Sequence, residues 1–163
     1  METVKDRVAG LDVHRDRVVA CCRLVVNRRV RLLKGTLATM SAGIAEGGDW
    51  LAVNMVSTVV MESTGVYWKP VYYGLEGIVG ELWLVNAVHV RRVPGRKTDV
   101  SDAEWLADVA AHGMVRPSYV PRPPIRELRE LTRYRKTQVE ARTREMQRLE
   151  KLLQDALLTE LVA

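Results

Sequence analysis

VAGLDVHRDRVVACCRLVVNRRVRLLKGTL, residues 8–37, holds three apolar runs parted by two short polar breaks. The first run, 8–13, takes in one acid, Asp12. HRDR follows as a turn, and 18–26 is rich in valine and other residues that suit extended backbone. NRR makes a second turn, and 30–37 reads as a third strand. Connections this short join antiparallel strands, so the stretch predicts a three-stranded meander.

Outward from the meander, the pattern changes. Residues 41–53 read as a weak helix, interrupted by Gly47 and Gly48. Residues 57–62 form a buried-type strand that ends on Glu62. A helix over 65–78 carries Pro70 in its first turns, and 81–86 is a fifth strand. HVRRVPGRKT, 89–98, reads as a basic loop broken by Pro94 and Gly95. A helix over 101–113 has the capping-box pair Ser101 and Glu104 and a terminal Gly113. RPSYVPRPP, 116–124, is a proline-rich stop, and 125–161 is one long helix with no internal Gly or Pro. This order predicts an α/β domain on a mixed five-stranded sheet. The first strand is central, and the fourth, reached by a crossover, lies parallel beside it.

The totals set bounds. A chain of 163 residues with 47% apolar residues holds one ordinary domain and an appendage. The net charge is +5, and residues 121–151 carry ten Lys/Arg against five Asp/Glu, so the excess sits in the long helix. That favours an anionic partner. Cys21 and Cys22 are the only cysteines, adjacent and without a CxxC pair, so neither a zinc knuckle nor a disulfide framework is signalled. No apolar run approaches a membrane span, and the first ten residues lack the apolar core of a signal peptide. The expectation is a cytoplasmic protein with no membrane partner.

Asp12 and Glu62 end two strands predicted to be parallel neighbours, so their carboxylates converge. Asp99 and Asp102, three apart at a helix start, can face the same way. Two unit charges at 4 Å repel by roughly 4 kcal/mol at an effective dielectric near 20, so four gathered acids call for cations. Hard oxygen ligands suit Mg²⁺ or Mn²⁺. Two such ions roughly 3.5–4 Å apart stabilise the attacking and leaving oxygens of a phosphodiester displacement. Arg91, Arg92, Arg96 and Lys97 stand just upstream of the acid pair, where a phosphate backbone could be held. Singly, each acid is weak: a strand-end Asp is more often a turn former, and acids before a helix most often cap it. His14, His89 and His112 have no partner in the sequence pattern and are not expected to be ligands. Asp16, Glu104 and Asp108 read as surface or capping residues.

GLDVH (10–14), VVMESTGVYWKPVY (59–72), LVNAVHVRRVPGRKTDVSDAEWLA (84–107) and ELRELTRYRKTQVEARTREMQRLEKLL (127–153) resemble the DEDD transposases of the insertion-sequence one-ten family. The resemblance covers about residues 7–158. It implies an RNA-guided DNA recombinase with a RuvC-like, ribonuclease H-type domain over 1–120. Matched motif by motif, the family's four catalytic, metal-binding acids fall on Asp12, Glu62, Asp99 and Asp102. It also implies DNA and a structured guide RNA as partners. The family continues into a domain whose serine attacks DNA, and nothing here matches that domain. Ser41, Ser57, Ser63, Ser101 and Ser118 are therefore not assigned that role, and the chain alone is not expected to complete recombination. Gly47, Gly48 and the absence of Phe depart from the pattern and bear on packing of the first helix.

On a heptad frame, Ile125, Leu128, Thr132, Arg135, Val139, Arg142, Met146, Leu149, Leu153 and Ala156 fall at the a and d positions. The ends are apolar and the middle is basic, which no plain coiled-coil seam would choose. One reading has residues 121–163 dock on the domain at the start and pair with a partner helix at the end; the resemblance implies self-association through a coiled coil here, and so a homodimer or higher homo-oligomer. Arg133, Arg135, Lys136 and Arg142 then face nucleic acid. The leading function is the Mg²⁺- or Mn²⁺-dependent catalytic part, with two ions, of a DNA recombinase. The alternatives are a nuclease of the Holliday-junction resolvase type and a non-catalytic RNA-binding and dimerisation module. An actin-like ATPase lacks support, because no glycine-rich phosphate loop is present.

Overall fold

The computed structural model describes residues 3–95 and 101–156. The chain divides into two compact units, Met1–Tyr119 and Val120–Ala163. In the first, the meander forms as expected: β1 (Arg7–Val13), β2 (Arg17–Val26) and β3 (Arg29–Ala38), paired antiparallel. Next come α1 (Ser41–Val53), β4 (Thr58–Glu62), α2 (Trp68–Leu75), β5 (Glu81–Val85), α3 (Ala87–Arg92) and α4 (Asp102–Ala111). The sheet runs β3-β2-β1-β4-β5, with β4 parallel to both β1 and β5. This is the mixed five-stranded sheet with flanking helices that the sequence predicted.

β1 is central because both of its faces can be covered. Val8, Ala9 and Leu11 are fully buried, and the strand shows no apolar–polar alternation until it reaches Asp12. On one face Val8, Val60 and Val85 pack against Trp105, Leu106 and Val109 of α4. On the other, Leu11, Val18 and Leu37 meet Leu51 of α1 and Val71 and Leu75 of α2. Gly10 sets how closely α4 approaches. A Cβ there would stand 2.0 Å from the Ala103 carbonyl oxygen and 2.6 Å from the Ala107 nitrogen. The helix backbone rests directly on the strand backbone.

Three local readings need correction. α1 is continuous: Gly47 and Gly48 do not break it but admit neighbours, since a Cβ at Gly47 would lie 2.6 Å from Leu37 Cδ1. Close packing outweighs the low helix propensity of glycine. The basic loop is helical in its first part. The Asn86 side chain accepts a hydrogen bond from the Val88 N–H at 2.8 Å and so starts α3, while Pro94 falls beyond the helix end. α2 begins at Trp68 rather than 65, because Gly65 at φ 61° lies outside helical backbone; Pro70 then sits in the first turn, where no N–H partner is needed.

The β2–β3 turn places both central residues at positive φ, Asn27 at 51° and Arg28 at 62°. A two-residue hairpin of this hand favours glycine at the second position, and a left-handed arginine costs about 1 kcal/mol.

The second unit contains α5 (Pro123–Asp155), with proline in its first turn and no buried residue among those described. Among the described residues, no helix is long and apolar enough to cross a membrane.

Gly10→Ala is expected to lower unfolding free energy by about 3 kcal/mol, because the clash is with backbone that cannot rotate away. Urea unfolding measures it; an unchanged midpoint would mean that α4 does not rest on β1 as described.

Candidate active site

β1 and β4 run parallel in register, with Leu11 beside Met61, so Asp12 and Glu62 are the next row. Residues two apart on a strand share a face. Asp12 therefore follows Gly10, and Glu62 follows Val60, on the face that α4 covers. The Gly10 contact brings the first turn of α4 to that row. Asp102 is the first residue of α4, held by the Ser101 cap, whose hydroxyl accepts from the Glu104 N–H at 3.4 Å. Three of the four expected acids thus lie together at the carboxyl ends of two neighbouring strands and one helix start. Asp99, with Arg96 and Lys97, lies outside the described residues.

The electrostatics confirm the proximity. The Glu62 carboxyl is pushed above its ordinary pKa, first by burial and then by the negative charges of Asp102 and Asp12. A hydrogen bond from Thr64 and the positive charge of Arg91 act in the opposite direction. Thr64 Oγ1 donates to Glu62 Oε2 at 3.3 Å. Asp12 Oδ2 lies 3.1 Å from His14 Nε2. Two of the acids are thus engaged with their own strand-end neighbours, and among the described residues no three His, Cys, Asp or Glu groups are arranged to hold a metal ion. The donor set nonetheless fits one. It is made of carboxylates, suited to hard cations, and it concentrates negative charge where a half-buried acid resists ionising.

His14 was not expected at the site. The signal was present: Asp12 and His14 are two apart at a strand end, the spacing that puts side chains on one face. Arg91 lies close enough to Glu62 to lower its pKa, whereas Arg92 lines a separate cavity with Trp105, Asp108 and Met114. Glu104 and Asp108 are more than surface residues. Glu104 pairs with Lys34, and Asp108 holds the buried Arg23 guanidinium at 3.1 Å. On α5, Arg133, Arg135, Lys136 and Arg142 are all exposed, with Lys136 within 3.7 Å of Glu140.

A carboxyl whose folded pKa is raised binds more protons folded than unfolded. Its charge therefore costs stability as pH rises from the ordinary glutamate range through the raised value. Glu62→Gln is expected to raise Tm of the metal-free protein at pH 7, with the gain shrinking as pH falls from the raised value to the ordinary glutamate range and absent below it. Thermal melts of both proteins across pH check this; a gain that grows toward acid pH would reverse the assignment.

A family model described as Transposase, for DEDD transposases of the insertion-sequence one-ten family, matches residues 9–157. No curated protein matches the chain. Among solved structures the chain is similar to Thermus thermophilus RuvC in complex with a Holliday junction substrate, at 16% identity and a TM-score of 0.46, covering 69% of this chain and 99% of that one. It is also similar to a second Thermus thermophilus RuvC structure, at 16% identity and a TM-score of 0.48, with the same coverage.

Proposed function

Because the chain belongs to this DEDD transposase family, whose model matches nearly its whole length, we propose that it is the divalent-metal-dependent catalytic part of a DNA recombinase for insertion-sequence mobility. The observation that carries the reading is geometric: Asp12 and Glu62 end parallel neighbours β1 and β4 in one row, and α4, which begins at Asp102, rests on β1 at Gly10. A half-buried carboxyl is set among Asp102 and Asp12, at the strand ends where ligands of such sheets gather. Asp12, Glu62 and Asp102, with Asp99, hold the cations. Mg²⁺ or Mn²⁺, as a pair, supplies charge stabilisation for the oxygens exchanged at a phosphodiester. The chain's own residues do the rest. The α4 cap and the Gly10 contact fix Asp102 against the strand ends. Thr64 orients the Glu62 carboxylate, and His14 orients Asp12. Arg91 offsets the acid cluster, and Arg91, Arg92, Arg96 and Lys97 hold the DNA backbone.

α5 supports a role in assembly. Leu128, Met146 and Leu149 are exposed at 57%, 62% and 57%, an apolar series with no cover in the described helix. A second copy of α5 covers the apolar end of this series, at Met146 and Leu149, in a homodimer or larger assembly, leaving the basic middle with Arg133, Arg135, Lys136 and Arg142 for nucleic acid, including a structured guide RNA. The basic helix, with no buried residue among those described, also favours one second reading, a non-catalytic RNA-binding and dimerisation module.

Calorimetry with Mg²⁺ and Mn²⁺ separates the two. The expected result is saturable binding that weakens about tenfold or more in Asp12→Asn and Glu62→Gln, a loss of at least about 1.4 kcal/mol. No binding by the intact chain leaves the RNA-binding module standing. Sedimentation of the same sample is expected to give a dimer; a monomer at high concentration removes the assembly role of α5.

A further inference from the structure

The β2–β3 hairpin reaches past the rest of the sheet. The first β1–β2 pair is Arg7 with Leu24, while β2 and β3 continue through Val25–Val30 and Val26–Arg29. The end of the hairpin is therefore a two-stranded ribbon, joined to β1 at its root by the Val25 N–H donating to the Asp6 carbonyl at 2.8 Å. Arg28 and Arg29 occupy this end, Arg31 sits at its root opposite Leu24, and all three are exposed. Four other cations of the same unit are engaged: Lys5 with Glu81, Arg23 with Asp108, Lys34 with Glu104, and Arg7 with the Asn54 carbonyl. Among the described residues, Arg28, Arg29 and Arg31 form no ion pair or side-chain hydrogen bond. Asp6, the acid at the root of the ribbon, makes no ion pair with them.

A second observation is independent of charge. Arg28 stands at φ 62°, in the position where this turn favours glycine. The fold carries backbone strain to keep a long cation at the tip, and strain held at one exposed residue is a pointer to use.

We propose that the ribbon is a docking arm for duplex DNA, in which the guanidinium groups of Arg28, Arg29 and Arg31 hold backbone phosphates away from the acid cluster. The inference rests on the recombinase reading for its partner. Its position is its own. Asp12 pairs with Val19, and Arg28 lies nine residues farther along the hairpin, about 30 Å at roughly 3.3 Å per residue. That distance corresponds to about nine base pairs. The arm thus holds flanking DNA rather than the phosphodiester at the acids. A two-stranded ribbon of this width also fits a major groove, with arginines reaching the phosphates on its walls.

The test is fluorescence anisotropy of the full chain with a duplex of about 30 base pairs, three helical turns, over a salt series. The Arg28→Ala/Arg29→Ala/Arg31→Ala triple variant is expected to bind at least about tenfold more weakly, with a log–log salt slope shallower by about 2 to 3. The triple Lys variant is expected to keep most of the slope. Arg28→Gly gives the sharper readout: its Tm rises as the turn relaxes, while its salt slope falls by about 1. A structural role for Arg28 would not move stability and binding in opposite directions. The same losses are expected in an Asp12→Asn background. If the wild-type chain binds the duplex and the triple Ala variant matches it in affinity and slope, the arm is refuted and the recombinase reading stands. Failure of the wild type to bind any duplex overturns both. Arginine dependence confined to a structured RNA of equal length overturns the assignment to DNA.

Discussion

The structure depends on one contact between backbones. At Gly10 the central strand has no side chain, and the first two turns of α4 lie on the gap. Any Cβ would lift the helix, and with it Asp102, away from the strand ends that carry Asp12 and Glu62. The parallel register of β1 and β4 aligns two acids, and the closeness of α4 supplies the third. Chain segments remote in sequence are thereby brought to one row, and the row is charged.

That charge works against the fold. Glu62 is half-buried next to like charges, so in the absence of a cation its ionised form is disfavoured. Proteins that hold such an arrangement give up stability for a site. The neighbouring side chains moderate the cost without removing it: Thr64 donates to Glu62, His14 lies against Asp12, and Arg91 offsets the negative field. The same pattern of local cost recurs at the hairpin tip, where Arg28 occupies a left-handed position better suited to glycine.

Much of this was legible in the sequence, for physical reasons. The two short turns left no choice but an antiparallel meander, and a buried strand reached through a helix had to lie parallel beside the first. Glu62 at a strand end and Ser101 before an apolar helix were readable from spacing alone. Other features were hidden because they depend on neighbours distant in the chain. Gly47 looks like a helix breaker until Leu37 is seen to occupy its missing side chain. Asp108 looks like a surface acid until β2 brings Arg23 to it. α3 is masked in the sequence by Pro94 and Gly95, which mark a loop just beyond it, although the Asn86 cap starts a helix. His14 reads as a lone histidine, and only the fold shows its ring against Asp12.

The central claim is that Asp12, Glu62 and Asp102 share a divalent cation. The most direct measurement is anomalous X-ray diffraction from crystals of the full chain grown with Mn²⁺. The account requires a peak bonded to carboxylate oxygens of Asp12 and Glu62, at about 2.0–2.2 Å, and bordered by Asp102. Well-ordered carboxylates with no peak between them, or manganese bound only elsewhere on the surface, would contradict it.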